Sequence, residues 1–223
     1  MVDRAGRLRR AASNVLLGIS IGLLAYYSLT SLVGWLAQRE LRAAGDGVSA
    51  FSADAPGELL GPPGTALDFS GWADEDGSYW GASANGDAFG RLVIPVMDLD
   101  VMVVHGVTSA DLRRGPGWID WTDLPGPTGT CGISGHRTTY GAPFRNLDKL
   151  AEGDTIDLFS PYRRYRYEVT RSLVVRPDQV EVVDSTVRPS LTLTACHPPY
   201  SAAYRLAVQA DLVEVQKLDS LTD

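Results

Sequence analysis

The stretch Thr192-Leu193-Thr194-Ala195-Cys196-His197-Pro198, followed after a short loop by Tyr204-Arg205-Leu206-Ala207-Val208, decides the reading of this chain. Leu191, Leu193 and Ala195 alternate with Thr192, Thr194 and Cys196, the period of two expected of a strand with one apolar and one polar face. Cys196 ends that strand on its polar face. Beyond the loop, Leu206, Val208, Ala210 and Leu212 form an apolar side, with Arg205, Ala207 and Gln209 on the other. Paired as a hairpin, the two strands put Cys196 and Arg205 on one face. A thiol beside a guanidinium at a strand end points to catalysis, because a nearby cation favours the thiolate and an arginine fork binds developing negative charge.

Upstream the chain carries, in order, Arg91-Leu92-Val93-Ile94-Pro95, Gly115-Pro116-Gly117, Gly135-His136-Arg137, and Phe144-Arg145-Asn146-Leu147-Asp148-Lys149-Leu150 with Gly153-Asp154. With the Thr-Leu-x-x-Cys strand and the downstream arginine, this ordered set resembles the sortases, membrane-anchored cysteine transpeptidases of mostly Gram-positive cell surfaces. The resemblance covers residues 90–215. The surroundings of the cysteine, His197-Pro198 and Ser201-Ala202-Ala203-Tyr204-Arg205-Leu206, are most similar to class E, with class D next. It implies an all-β fold, an eight-stranded β-barrel with one or two short helices.

The resemblance further implies cleavage of an LPxTG- or LAxTG-type sorting signal, carried by surface proteins, between Thr and Gly. Cys196 would be the nucleophile, His136 its proton-transfer partner, and Arg205 the group holding the oxyanion or the substrate backbone. The implied acceptor is an amine of a peptidoglycan precursor or a pilin lysine. Substrate contacts fall on Thr194, Ala195 and His197 beside the nucleophile. Others fall on Val180 and Val182 in the connection 176–189, which corresponds to the loop lining the peptide groove in sortases. Two positions depart from the family pattern: Ala195 stands where Thr usually precedes the cysteine, and Thr130 where Asn is common before the histidine strand.

Read without the resemblance, the residues after Gly90 give the same fold class. Leu92-Val93-Ile94-Pro95, Val101-Met102-Val103-Val104, Cys131-Gly132-Ile133-Ser134, Thr155-Ile156-Asp157-Leu158-Phe159, Arg166-Tyr167-Glu168-Val169-Thr170, Ser172-Leu173-Val174-Val175 and the two final strands make eight short β-rich runs separated by turns. That spacing predicts a closed barrel. Only 109–114 and 143–150 read as short helices or turns.

Residues 15–37 carry no charge, and as a helix they reach about 34 Å, enough for a hydrocarbon core of about 30 Å. Arg4, Arg7, Arg9 and Arg10 precede them, which places the N-terminus in the cytoplasm by the positive-inside rule. A cleaved signal peptide has the same outline, but this run is longer than a typical signal core, and Leu36-Ala37-Gln38 is a poor cleavage site. The expected organisation is therefore a cytoplasmic N-terminus (1–14), a single membrane anchor in lipid (15–37), an extracellular linker (38–89), a catalytic barrel (90–215) and a short tail (216–223). Gly, Pro, Ser and Asp dominate much of the linker, but Phe69, Trp72, Tyr79 and Trp80 interrupt it. They are expected to dock on the outside of the barrel or to cover the groove as a lid. Deletion through Arg42 is expected to leave an active soluble domain. The formal net charge of −7 argues against nucleic acid as a partner.

Two cysteines outside the cytoplasm raise the question of a disulfide. Cys131 precedes His136 by five residues. If both strands end at the same barrel mouth, it lies about 16 Å below the rim, out of reach of Cys196. It reads as a small buried hydrophobe. His197, next to Cys196, points to the opposite face and reads as structural or substrate-shaping, and His105 as inert. No metal cluster, phosphate loop or CxxC pair is present, so no cofactor is expected. Two other function classes remain: a Cys-His hydrolase acting on cell-wall peptides, and a non-enzymatic anchored surface domain.

Overall fold

The computed structural model describes residues 4–45, 67 and 69–218. The linker reading over 46–66 and at 68, and the last tail residues, lie outside the described residues. Eight strands, β1 (Ala88–Ile94), β2 (Leu99–His105), β3 (Gly117–Trp118), β4 (Thr130–Gly135), β5 (Thr155–Phe159), β6 (Arg163–Val175), β7 (Ser190–His197) and β8 (Tyr204–Lys217), close into a barrel in the order β1-β2-β3-β4-β7-β8-β6-β5. Closure removes every sheet edge, and alternate residues of each strand fill the interior. Leu92, Ile94, Ile133, Leu158, Leu191, Leu193 and Val208 are fully buried there.

Eight strands were expected and eight form, but they are not the same eight. The runs at 166–170 and 172–175 are one strand, β6, paired with β8 along its whole length. Its register slips at Arg166/Tyr167 and again at Val169/Arg171. The first slip leaves its extra residue, Val213, in β8; the second leaves Thr170 in β6, where it reverses the in–out alternation, so one bent strand reads in sequence as two. The eighth strand is β3, two residues long and too short to carry a period. Its parallel pairing with β2 and antiparallel pairing with β4 join the two halves of the barrel wall. A short helix (Ser109–Leu112) and a 3-10 turn (Leu147–Lys149) occupy the two expected helical places, the first capped reciprocally by Thr108 and Asp111.

The aromatic part of the linker folds as a wide helical turn (Ala73–Gly77) running into a second short helix (Ser78–Ala82). Trp80 is buried, stacks on Phe89 at 5.3 Å and donates its indole N–H to the Phe89 carbonyl at 2.8 Å. The Trp72 indole donates to the Pro125 carbonyl at 3.0 Å, ahead of β4. Asp76 is fully buried against Arg163, at the first residue of β6, and Glu75 reaches both Arg163 (2.7 Å) and Lys217, the last residue of β8 (2.6 Å). Pro125, Arg163 and Lys217 all lie at the barrel end opposite Cys196 and Arg205. The segment is a plug for the far end and does not cover the groove.

The first helix, α1 (Arg4–Ala44), is long and apolar enough to cross a membrane. Its last turns do not stand free. Leu41 is 1% exposed, packed with Val93, Met102, Val104 and Phe159 on the outer wall of the barrel. Gln38 bonds the Met102 backbone on both sides, accepting at 2.7 Å and donating at 3.0 Å, and donates to the Arg114 carbonyl at 2.9 Å. Arg42 pairs with Asp100 at 3.2 Å. Deleting through Arg42 therefore strips a packed helix from β1 and β2, which the sequence-based expectation of an independent anchor did not include.

Asp76 and Arg163 form a buried ion pair, and removing Asp76 leaves the buried guanidinium with only the part-exposed Glu75 to offset its charge. Asp76→Ala should lower unfolding stability by about 3–5 kcal/mol. Chemical denaturation of the detergent-solubilised chain measures it, and a change below about 1 kcal/mol, the usual ceiling for a solvated surface pair, would mean that the plug is dispensable.

Candidate active site

Three adjacent strands carry the three expected residues to one rim. β4 and β7 run parallel, with Gly135 opposite Ala195, so His136 leaves β4 beside Cys196. β7 and β8 run antiparallel, with Cys196 directly opposite Arg205. The faces are those that the alternation predicts. Leu191, Leu193 and Ala195 lie in the apolar core, and Cys196 is half-buried at the mouth.

The turn after β4 is shaped by close packing. A Cβ on Gly135 would lie 2.6 Å from the Phe144 ring, so only glycine lets that ring close beneath His136. Phe144 returns its backbone N–H to the His136 carbonyl at 3.0 Å, closing the loop. Tyr140, in the left-handed region at φ 51°, sets its ring 5.2 Å from the imidazole, and the Arg113 guanidinium lies over that ring at 5.8 Å. Burial, helped by the Arg113 charge, pushes the His136 pKa below its ordinary value. The shift favours the neutral imidazole.

Arg205 donates Nη1 to the Ala202 and Tyr204 carbonyls at 3.2 and 3.1 Å. A guanidinium has five N–H donors, so its remaining edge is free to meet a ligand oxygen. Arg137 was named in the sequence only as part of the Gly-His-Arg landmark, with no role. It is 3% exposed, and its Nη1 bonds His197 Nδ1 at 2.9 Å and reaches the Cys196 carbonyl at 3.4 Å, while Nη2 pairs with Asp148 at 2.9 Å. One side chain thus ties the residue after the histidine to the residue that carries the thiol. With Arg137 donating to Nδ1, the His197 ring proton sits on Nε2, and His197 is held as a structural partner. A charged residue directly after His136 was the only sequence signal for this clamp.

The remaining site candidates separate. Thr194 is nearly buried below the rim, and the Ala195 side chain belongs to the core. Val180 and Val182 lie on a 3-10 turn (Val180–Val183) over the outer face of β7 and β8. The Val182 carbonyl accepts from Thr192 Oγ1 at 3.0 Å and from Gln209 at 2.9 Å, leaving Val180 exposed. Cys131 is opposite Leu191, five residues from Cys196 along the ladder, fully buried and unbridged. Burial pushes its thiol pKa up. A cleft of about 650 Å³ lies to one side, between α1 and the loops around Asp98 and Tyr140, and contains none of Cys196, His136 and Arg205. Among the described residues there is no cluster of metal-ligating side chains.

The family profile of the sortase domain matches residues 92–213, more than half of the chain and all of this rim. The chain belongs to the sortase family. Sortase SrtE1 of Streptomyces coelicolor is 31% identical over 150 residues, which is 60% of this chain and 43% of that protein. Sortase D of Bacillus subtilis is 31% identical over 114 residues, 51% of this chain and 56% of that protein. The chain thus spans about half the length of these relatives. The crystal structure of sortase E1 from Streptomyces coelicolor with a tripeptide in the active site is similar with a TM-score of 0.57 and 31% identity. That likeness covers 63% of this chain and all of that one. The order of likeness, class E and then class D, is the one the residues around Cys196 imply.

Two measurements check the geometry of this sortase rim. A thiol reagent at neutral pH should titrate one cysteine in the native protein and two in denaturant, and Cys196→Ala should leave none reactive in the native state. Two native thiols, or none, would contradict the burial pattern. Ring-proton NMR should place the His136 pKa below the ordinary value of about 6.5, with Arg113→Ala raising it. Because the folded value is depressed, the folded chain binds fewer protons than the unfolded chain between the two values. The stability linked to His136 is therefore complete above the unfolded pKa and is lost as pH falls through the folded one.

Proposed function

We propose that this chain is a membrane-anchored cysteine transpeptidase. It would cleave an LPxTG- or LAxTG-type signal between Thr and Gly and pass the acyl group to an amine of a peptidoglycan precursor or a pilin. The carrying observation is the convergence of Cys196, His136 and Arg205 on consecutive strand ends. In the forward step, His136 takes the Cys196 proton as the sulfur attacks the threonine carbonyl, and the imidazolium then protonates the leaving glycine amine. The free edge of Arg205 faces the tetrahedral oxygen or the peptide backbone. In the return step the incoming amine attacks the thioester and gives its proton to His136, the C–S bond breaks, and the released Cys196 sulfur takes that proton back from the imidazolium. That Streptomyces coelicolor sortase E1 holds a tripeptide in its active site supports a peptide as the ligand here.

The 3-10 turn at Val180–Val183 supplies the groove wall, with exposed Val180 offering an apolar contact to an extended peptide. In this reading α1 crosses the membrane with its arginine-rich start in the cytoplasm and the barrel outside. No cofactor enters any step. A Cys-His hydrolase would use the same pair, and added amine separates the two, because hydrolysis unaffected by amine favours the hydrolase.

The test is intact-mass detection of a thioester at Cys196 with sorting-type peptides varied at the second position. Ala should be accepted there at least as well as Pro. Arg205→Ala should slow acyl-enzyme formation by about 10²–10³-fold, the usual loss when one oxyanion donor is removed, while His136→Ala should block formation and resolution alike. Cys131→Ala should leave most activity. A folded, reduced protein that forms no adduct with any peptide would defeat the transpeptidase reading.

A further inference from the structure

The direction of α1 on the barrel is set by contacts along its length. Near its end, Leu41 and Gly45 meet Met102 and the wall toward Ala88, at the far side from the rim. Four residues before Leu41, Ala37 is buried, and Gly34 lies against the loop that follows His136. A Cβ on Gly34 would be 2.9 Å from the Tyr140 carbonyl oxygen, so the helix and this loop touch backbone to backbone. Two turns earlier, Tyr27 hydrogen-bonds the Arg145 guanidinium, which also lies over its ring at 5.9 Å. Tyr27, Arg137, Thr138, Arg145, Pro199 and Tyr200 line one small cavity, uniting the helix with the loops that leave His136 and Cys196. From Tyr27 toward its N-terminus, α1 leaves the barrel at the rim that carries the active site, and its apolar side chains from Val15 to Leu24 are exposed.

We propose that the catalytic rim is a membrane-docking surface, seated on the lipid headgroups by α1, with Tyr27, Arg145 and Tyr200 in the interfacial layer. The occupant is the bilayer, because the element that continues past the rim is an apolar helix and the rim offers what an interface takes. Tyr200 is 91% exposed at the tip of the β7–β8 loop, and Tyr27 and Arg145 stand beside it. The length agrees. From Arg10 to Tyr27 the helix rises about 26 Å, a few ångströms short of a core of about 30 Å, which arginine and tyrosine side chains at the two ends make up. The part of the helix that lies wholly beyond the domain is then about residues 10–27; from Leu29 to Leu36 the helix runs along the domain, with Leu29, Leu32, Trp35 and Leu36 still exposed on its outward face, and Ala37 and Gln38 are committed to protein contacts. The Cys196–His136 groove opens against the membrane plane, and a peptide held close to that plane reaches it without the domain reorienting. The inference rests on α1 being the membrane anchor but not on the transpeptidase chemistry.

The test uses the full chain with Cys196→Ser, reconstituted in phosphatidylcholine–phosphatidylglycerol vesicles and spin-labelled at one new cysteine. Buried Cys131 is left in place. Labels at Tyr200→Cys and at Val187→Cys compare the rim with the opposite end, where Val187 is 89% exposed beyond the Thr186–Thr130 contact. Collision with oxygen relative to a water-soluble nickel chelate should be several-fold higher at 200 than at 187. Equal water exposure at the two sites would overturn the proposal. Gly34→Leu, which forces α1 off the Tyr140 loop, should bring the label at 200 back toward the value at 187. An unchanged ratio would show that the helix does not seat the rim. A label at Leu24→Cys reports insertion itself, and an aqueous signal there would defeat both the anchor and the docking surface. Acyl-enzyme formation plays no part in these signals, so failure of the chemistry and failure of the docking are separately visible.

Discussion

The parallel pairing of β4 with β7 is the constraint on which the site depends. Strands β4 and β7 are about 55 residues apart in sequence and have no turn to set their register, so the register comes from which side chains each strand buries. Leu191, Leu193 and Ala195 must face the interior together with Cys131 and Ile133. A slip of one residue would turn Cys196 inward and send the core of β7 to the outside. The requirement that keeps the barrel dry therefore also keeps the Cys196 thiol level with His136, and the β7–β8 hairpin brings Arg205 to the same level.

Register alone sets heights and leaves the rim loops to be fixed by polar contacts. Arg137 does this from inside: a buried guanidinium needs partners for its charge, and its two terminal nitrogens find His197, the Cys196 carbonyl and Asp148. The partners come from two parts of the chain, the end of β7 and the 3-10 turn Leu147–Lys149, so ordering the arginine orders both. The cationic groups around the rim, Arg113, Arg137 and Arg205, also explain why the site can favour negative charge in a chain whose net charge is −7.

The sequence made the catalytic strands legible because they obey a period of two without interruption from Leu191 to Cys196 and again from Arg205 to Leu212. It failed where local pattern and tertiary structure part company. The bulge at Thr170 splits β6 into two apparent strands, and β3, at two residues, has no pattern at all. The aromatic linker was visible as an anomaly, but its destination was not, since a tryptophan that plugs one end of a barrel looks the same in sequence as one that covers the other. Arg137 was hidden for a related reason: burial with three partners is a property of the folded neighbourhood, whereas a lone arginine after a histidine reads as an ordinary surface charge.

The helix α1 shows the same limit in a sharper form, because hydropathy cannot distinguish a residue buried in lipid from one buried in protein. Ala37 and Leu41 are apolar for the barrel wall, Leu16 and Leu24 have no protein to cover them, and one continuous helix contains both. Contact with the domain begins near Tyr27, where Arg145 meets the helix, while the outward face stays apolar and exposed as far as Leu36. A tether would need only to hold the domain to the cell surface, and any flexible connection would serve. A helix keyed to the domain by a glycine at 34, a triply bonded glutamine at 38 and a buried leucine at 41 instead transmits orientation. In the proposed arrangement the position of the membrane and the position of the His136 loop are determined by the same element.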